Sequence, residues 1–130
     1  MEGVYEMKTN LGLYLKELRK KHNEKLQDMA EKLGVSAAFL SAVENGKKSM
    51  PDAMYSKLCI LYKLDIGERI TLEMFIAQAD QMLKLNFKED LPKKNQELAV
   101  VFSKTFDKLD EEKSEKLIEY LLGNQIVFED

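Results

Sequence analysis

The tripeptide Gly34-Val35-Ser36 joins two short amphipathic segments, and this spacing constrains the fold more than any other feature of the sequence. The pattern of Leu26–Leu33 predicts a helix that ends at Gly34, because a left-handed backbone costs glycine little. Ser36 is a typical N-cap of the next helix, which extends to about Asn45, since its hydroxyl can accept from an orphan amide. A connection this short forces the two helix axes to cross steeply.

Two further helices flank this pair in the first half of the chain. Leucines at helical spacing predict a helix from about Thr9 to Lys21, with Thr9 or Asn10 as its N-cap. Gly46 closes the helix that follows Ser36, and Asp52, just after Pro51, is predicted to cap a fourth helix. The buried face of that fourth helix is assigned to Met54, Leu58 and Leu61, with Cys59 as a further candidate.

The second half also has helical periodicity. Apolar residues between Ile66 and Leu85 cover more than one side of a helix, which indicates burial on more than one side. After a polar connector, Asn86 to Lys94, comes a second apolar stripe, and Asp110 is a typical N-cap of a last helix that stops at Gly123. The segment Ile126-Val127-Phe128 has strand propensity. The second stripe consists of Leu98, Val101, Phe102, Phe106 and Leu109, and the last helix has Leu117, Ile118, Leu121 and Leu122 on one face.

Composition narrows the class of protein. Cys59 is the single cysteine, so no intrachain disulfide forms and a reducing, cytoplasmic location is expected. One histidine and one cysteine are too few ligands for a zinc cluster. The sequence contains no run of 18 apolar residues, so no membrane-spanning helix is predicted. No paired nucleophile and base and no glycine-rich phosphate loop is found. We therefore expect no enzyme, no metal, no cofactor and no membrane partner.

Charge divides the chain into two halves. Residues 1–64 contain 11 Lys or Arg and 8 Asp or Glu, whereas residues 65–130 contain 9 and 15. Different roles are therefore expected for the two halves. The overall pI of about 5.3 argues against non-specific coating of nucleic acid, but a basic patch can still lie in the first half.

The first half resembles the helix-turn-helix domain of the phage-repressor/Cro (XRE) family. The resemblance covers Leu11 to Leu64, and its apolar, glycine, serine and Glu-Asn-Gly positions fall in register. The matching residues are Leu15, Leu18 and Arg19, the run 29–36 from Met29 to Ser36, the run 39–48 from Phe39 to Lys48, and Pro51. It implies an all-α chain, with a five-helix-type DNA-binding domain over residues 9–66 and an acidic α-helical region over residues 67–130.

The resemblance also implies roles for individual residues. Arg19 is expected to form a structural ion pair with Glu44, for which a planar guanidinium is suited. Helix Ala37–Asn45 is expected in the major groove of double-stranded DNA. The residues expected to face bases are Ala37, Ala38, Ser41 and Ala42, and those expected at phosphates are Lys25, Gln27, Ser36, Asn45, Lys47, Lys48 and Ser49.

The chain departs from the family pattern at the base-facing positions. Many members have hydrogen-bonding residues where this chain has Leu26, Ala37, Ala38 and Ala42. Alanine cannot hydrogen-bond a base and can only contact a thymine methyl group or permit closer approach. Ser41 is the one polar reader of this face, so specificity is expected from methyl contacts, from Lys47 and Lys48, or from DNA shape.

Two classes of function fit these observations. The first is a dimeric repressor that binds two half-sites about one DNA turn apart, with the homodimer formed through residues 67–130. The second is an antitoxin-like protein-interaction module, in which the helix-turn-helix is a scaffold with weak DNA binding and the acidic half binds a toxin or a peptidase. The alanine-rich helix favours the second class, and the in-register Lys47-Lys48 loop favours the first.

Overall fold

The computed structural model describes residues 9–123, and within that range the chain is all-α, as the sequence predicts. One 3₁₀ helix, Phe106–Lys108, accompanies seven α-helices in these residues. The α-helices are α1 (Asn10–Lys21), α2 (Leu26–Leu33), α3 (Ala37–Glu44), α4 (Asp52–Leu61), α5 (Ile66–Asp80), α6 (Lys93–Thr105) and α7 (Glu111–Gly123).

The predicted start and stop signals of the first helices are confirmed. The Thr9 hydroxyl accepts from the Gly12 amide at 2.9 Å, and the Ser36 hydroxyl accepts from the Phe39 amide at 3.0 Å. Gly34, at φ +73°, ends α2 in the left-handed region, where a residue without Cβ is favoured. Three residues therefore connect α2 to α3.

Two details of α4 differ from the prediction. Pro51 occupies the N-cap position with extended backbone, and Asp52 is the first helical residue rather than the cap. Leu61 is 45% exposed, whereas Cys59 is buried. The reason is that α4 ends at Leu61, after which Tyr62 and Leu64 turn inward and fill the core in its place.

The first compact unit extends to Leu83 and includes α5. Leu72 of α5 is fully buried, and the Phe75 ring meets the Tyr14 ring of α1 edge-on, with centroids 5.8 Å apart. The sequence prediction assigned residues 67–130 to one C-terminal region, but α5 belongs to the core of the first unit. The helix also ends at Asp80, because Gln81 adopts a left-handed backbone with φ 55°. The last apolar residues of the predicted stretch, between Gln81 and Leu85, therefore lie beyond the helix.

The second compact unit begins at Lys84 and contains α6, the 3₁₀ helix and α7. The Asp110 carboxylate accepts from the Lys113 amide at 2.8 Å, which confirms the predicted cap of α7. None of the residues described in this unit is buried, and its apolar stripes face solvent. The predicted strand-prone segment 126–128 lies outside the described residues.

Candidate nucleic-acid interface

Helix α3 divides cleanly into an inner and an outer face. Leu40 and Val43 are fully buried in the core. The four residues expected at bases occupy positions i, i+1, i+4 and i+5 of the helix, which form one continuous face. Ala38 on that face is exposed, while Ala37, Ser41 and Ala42 are half-buried and Ala37 also packs against the core. The outer face of α3 is therefore shallow and nearly free of hydrogen-bonding groups.

Helix α1 lies against the C-terminal end of α3 at backbone distance. A Cβ atom added at Gly12 would stand 2.5 Å from the Glu44 carbonyl oxygen, so only glycine fits. The Thr9 hydroxyl donates to the same carbonyl at 2.7 Å while it caps α1. The sequence reasoning missed this junction, although two small residues three apart at a helix start are a possible signal for it.

The Arg19 side chain forms the ion pair with Glu44 that the resemblance implies. Its Nη1 donates to Oε2 of Glu44, and its Nη2 donates to Oε1 at 3.2 Å. The guanidinium also contacts the Met29 sulfur at 3.6 Å. The side chains of Arg19 and Glu44 are only 10% and 12% exposed to solvent. The pair therefore links α1, α2 and the end of α3, which holds the outer face of α3 in a defined orientation.

The start of α2 carries two of the residues expected at phosphates. Lys25 and Gln27 are both exposed. The Lys25 amide donates to the Asp28 carboxylate at 2.8 Å, so one orphan donor of this helix start is already satisfied. The amide of Lys25 is therefore occupied by Asp28, while its side chain is exposed at this helix start.

The loop between α3 and α4 presents the lysine pair. Lys47 and Lys48 are exposed, and their amides both donate to the Ala42 carbonyl, at 2.8 and 3.3 Å. Gly46 permits this turn with φ +77°. Because the backbone of the loop is held by hydrogen bonds to α3, the two ammonium groups extend from a defined position next to the outer face of α3.

Two other residues of this surface have partners within the chain. The Ser49 hydroxyl donates to the Asp80 carboxylate at 3.0 Å, and the Asn45 amide lies 3.5 Å from the Ser41 hydroxyl. Asp80 therefore brings the end of α5 to the lysine loop. The sequence reasoning did not identify Asp80, because nothing local indicates that residues 31 positions apart meet.

A hydrogen-bonded cluster links the segment before α2, the end of α2 and the residue after α4. Glu24 accepts from Lys32 and, at 2.5 Å, from the Tyr62 hydroxyl. Burial opposes ionisation of Glu24, but these hydrogen bonds outweigh it and lower the pKa of its carboxyl below the ordinary value. Burial, together with the bond to Glu24, raises the pKa of Tyr62.

The part of the chain that the structure describes contains no candidate metal site and no candidate membrane-spanning helix. Between residues 9 and 123, no three His, Cys, Asp or Glu side chains are grouped to hold a metal ion. No helix in this range combines the length and apolar character needed to cross a bilayer.

Comparison with known proteins agrees with the resemblance of the first half. Residues 10–72 match the family model described as a helix-turn-helix domain. The chain is also similar to the ImmF control region 10 kDa protein of Bacillus phage phi105, with 38% identity over 57 residues. That match covers 44% of this chain and spans 63% of the relative's length. No solved structure matches.

Proposed function

We propose that the protein is a sequence-specific, DNA-binding transcriptional regulator that acts as a dimeric repressor, because residues 10–72 match the model of a helix-turn-helix domain. The observation that carries the proposal is the position of the lysine loop. Lys47 and Lys48 extend next to the outer face of α3, from a backbone held to Ala42 by hydrogen bonds. A positive loop beside an exposed helix face matches the shape and charge of a major groove and its phosphates.

Base recognition in this proposal depends mainly on van der Waals contact with methyl groups rather than on hydrogen bonding. Ala37, Ala38 and Ala42 present methyl groups, and only the Ser41 hydroxyl can exchange hydrogen bonds with a base edge. Short side chains also let the α3 backbone approach the groove floor closely. We therefore expect preference for thymine-containing steps and a contribution from DNA shape.

Phosphate contacts are assigned around this helix. Lys25 and Gln27 at the start of α2, Ser36 at the start of α3, and Asn45, Lys47, Lys48 and Ser49 after it form the proposed set. Helix starts add attraction for anions through their free amides. These contacts fix the orientation of the domain on the duplex and supply affinity without choosing the sequence.

Repression is proposed to follow from occupancy. A dimer that covers a promoter excludes polymerase by steric overlap, and two half-sites multiply the affinity of one domain. The control-region description of the phage relative is consistent with this role. We assign dimerisation to residues 67–130, as the sequence predicts, with the part beyond Lys84 as its main contributor.

A protein-interaction module of the antitoxin type is the second candidate. The shallow alanine face of α3 and the exposed apolar stripes of α6 and α7 favour it. In that case the second unit binds a toxin or a peptidase, and DNA binding is weak.

Selection of random duplex DNA by the purified full chain, read by sequencing, separates the two candidates. Enrichment of an inverted repeat with half-sites one turn apart supports the dimeric regulator. Absence of any enriched motif, with binding that vanishes at moderate salt, contradicts it and favours the interaction module.

A further inference from the structure

The end of α5 is attached to the DNA-facing side of the first unit by two exposed hydrogen bonds. The Asp80 carboxylate accepts from the Ser49 hydroxyl at 3.0 Å, and the Gln78 side chain accepts from the Asn10 side-chain amide at 2.9 Å. All four residues are exposed, so both bonds compete with water and with any ligand. Ala79 still packs against the core. The body of α5 is therefore fixed, and Asp80 can leave Ser49 without disturbing it.

Asp80 stands at the unfavourable end of its helix. The C-terminus of a helix carries partial negative charge, which repels a carboxylate and attracts a cation. Asp80 is the last residue of α5, and the last turn of this helix contains no basic residue. The carboxylate therefore weakens the helix end, and the Ser49 hydroxyl is the hydrogen-bond donor that holds it in place.

Gln81 is a second weak point of the same helix end. The Met82 amide donates to the Ala77 carbonyl at 3.1 Å and closes α5 over a left-handed residue, Gln81, with φ 55°. Helix α2 closes by the same pattern over Gly34, with φ +73°. A left-handed backbone brings Cβ close to the following carbonyl oxygen, and glycine avoids this strain. The closed end of α5 is therefore less stable than glycine would make it.

An ordered end of α5 and a phosphate at Ser49 exclude each other. The Ser49 hydroxyl has a single proton to donate, and in the structure Asp80 accepts it. A phosphate and a carboxylate are both acceptors and both negative, so they repel each other at this distance and cannot share one donor. Movement of Asp80 away from the loop frees the hydroxyl and removes the opposing charge.

We propose that the contact between Ser49 and Asp80 is autoinhibitory. The end of α5 exchanges between a closed state, with Asp80 on Ser49, and an open state that DNA binds more tightly. The apparent dissociation constant then rises as the open fraction falls, and the left-handed Gln81 sets that fraction. The chain continues from Gln81 into the second unit, which begins at Lys84, so a ligand that holds this segment in either state changes DNA affinity. This inference rests on the proposed DNA-binding role and adds a means of regulating it.

Two substitutions at Gln81 in the full chain shift this equilibrium in opposite directions. Gln81→Gly removes the backbone strain and favours the closed state, so the dissociation constant for the selected operator should rise about fivefold. Gln81→Val places a β-branched residue at a left-handed position, which disfavours the closed state and should lower the dissociation constant. Both variants keep the net charge, and Gln81 is not among the proposed base or phosphate contacts.

The control is the same pair of substitutions in an Asp80→Ala background. Without the carboxylate, the state of the helix end no longer affects Ser49, so the two variants should bind the operator with equal affinity. Any change in the flexibility of the segment after α5 is present in both backgrounds. A fivefold effect of Gln81→Gly that persists without Asp80 would therefore overturn the autoinhibition, as would equal affinities of the two variants in the presence of Asp80.

Amide hydrogen exchange reports the helix end directly. The amides of Gln81 and Met82 are hydrogen-bonded in the closed state, and we expect them to exchange several-fold faster when the operator is bound. Slower exchange at these amides in the complex would contradict opening. A chain that selects no operator would overturn the proposed function together with this inference, whereas an operator bound equally by both Gln81 variants overturns the autoinhibition alone.

Discussion

The Ser49 hydroxyl donates a hydrogen bond to the Asp80 carboxylate, 3.0 Å away, so α5 contacts the loop that is proposed to bind phosphate. A DNA phosphate would compete with Asp80 for this hydrogen bond and would also be repelled by its charge. Asp80→Asn should therefore strengthen DNA binding several-fold, since two charges 4 Å apart in water interact by about 1 kcal/mol. Titration of the selected operator at several salt concentrations measures the change in DNA affinity.

Glu73→Gln is the control for this change. It removes one charge from the same helix, where Glu73 accepts from the Tyr55 hydroxyl at 2.8 Å, away from the lysine loop. Equal gains in affinity from the two variants would mean that net charge, rather than the contact with Ser49, sets the effect.

Reversal of the loop lysines tests the proposed binding face directly. Lys47→Glu with Lys48→Glu should weaken operator binding and reduce the slope of log affinity against log salt by about 2, because two phosphate contacts are lost. A Lys20→Glu, Lys21→Glu variant changes the net charge equally and should keep more of the slope. Unchanged affinity in the loop variant would place the binding face elsewhere.

Gly12 should tolerate no side chain. Gly12→Ala forces a carbon to 2.5 Å from the Glu44 carbonyl oxygen, and the resulting overpacking should cost about 1–3 kcal/mol of unfolding free energy. The comparison is Gly67→Ala in α5, where the added carbon meets its nearest atom at 3.5 Å. That variant should be neutral or up to about 1 kcal/mol more stable, because alanine favours helix. Urea unfolding of both variants measures the two changes in unfolding free energy.

The Arg19–Glu44 pair should behave as a coupled unit. Arg19→Ala leaves a carboxylate with little access to water and no partner, which should cost about 3–5 kcal/mol. The double variant with Glu44→Ala should be less destabilised than the sum of the two single variants. Additive losses in urea unfolding would show that the two side chains stabilise the fold separately.

Glu24 should make stability depend on acid pH. Because the pKa of this carboxyl is lower in the folded chain than its ordinary value of 4.5, its stabilisation is complete above that value and is lost as pH falls through the folded pKa. Glu24→Gln should therefore lower stability at pH 7 and flatten the decline toward about pH 3. Glu31→Gln, an exposed position on α2, serves as the comparison, and identical pH curves for both variants would refute the role of Glu24.

The helix pair around the tripeptide 34–36 could be predicted from sequence because its signals are local. Helix α2 begins and ends where its periodicity and Gly34 indicate, and α3 begins directly after Ser36. Caps and left-handed glycines act within one turn of the chain, so the residues that determine each helix end are close together in the sequence.

The contacts between distant segments could not be predicted in the same way. The wide apolar surface of α5 indicated burial on more than one side, but not that Leu72 would complete the core of the first unit. Gly12 against Glu44 and Ser49 against Asp80 join residues 32 and 31 positions apart. Such pairs depend on how helices cross, which is a property of the assembled core rather than of any one helix.

The division of α3 into a buried face and a methyl-lined outer face has an evolutionary consequence. Leu40 and Val43 hold the helix in the core, while Ala38 on the outer face is exposed and its methyl side chain forms no hydrogen bond. A single substitution at such a position can add a polar group without disturbing the fold, since surface changes of this kind alter stability little. The scaffold is therefore able to acquire new binding preferences one mutation at a time, with foldability preserved at every step.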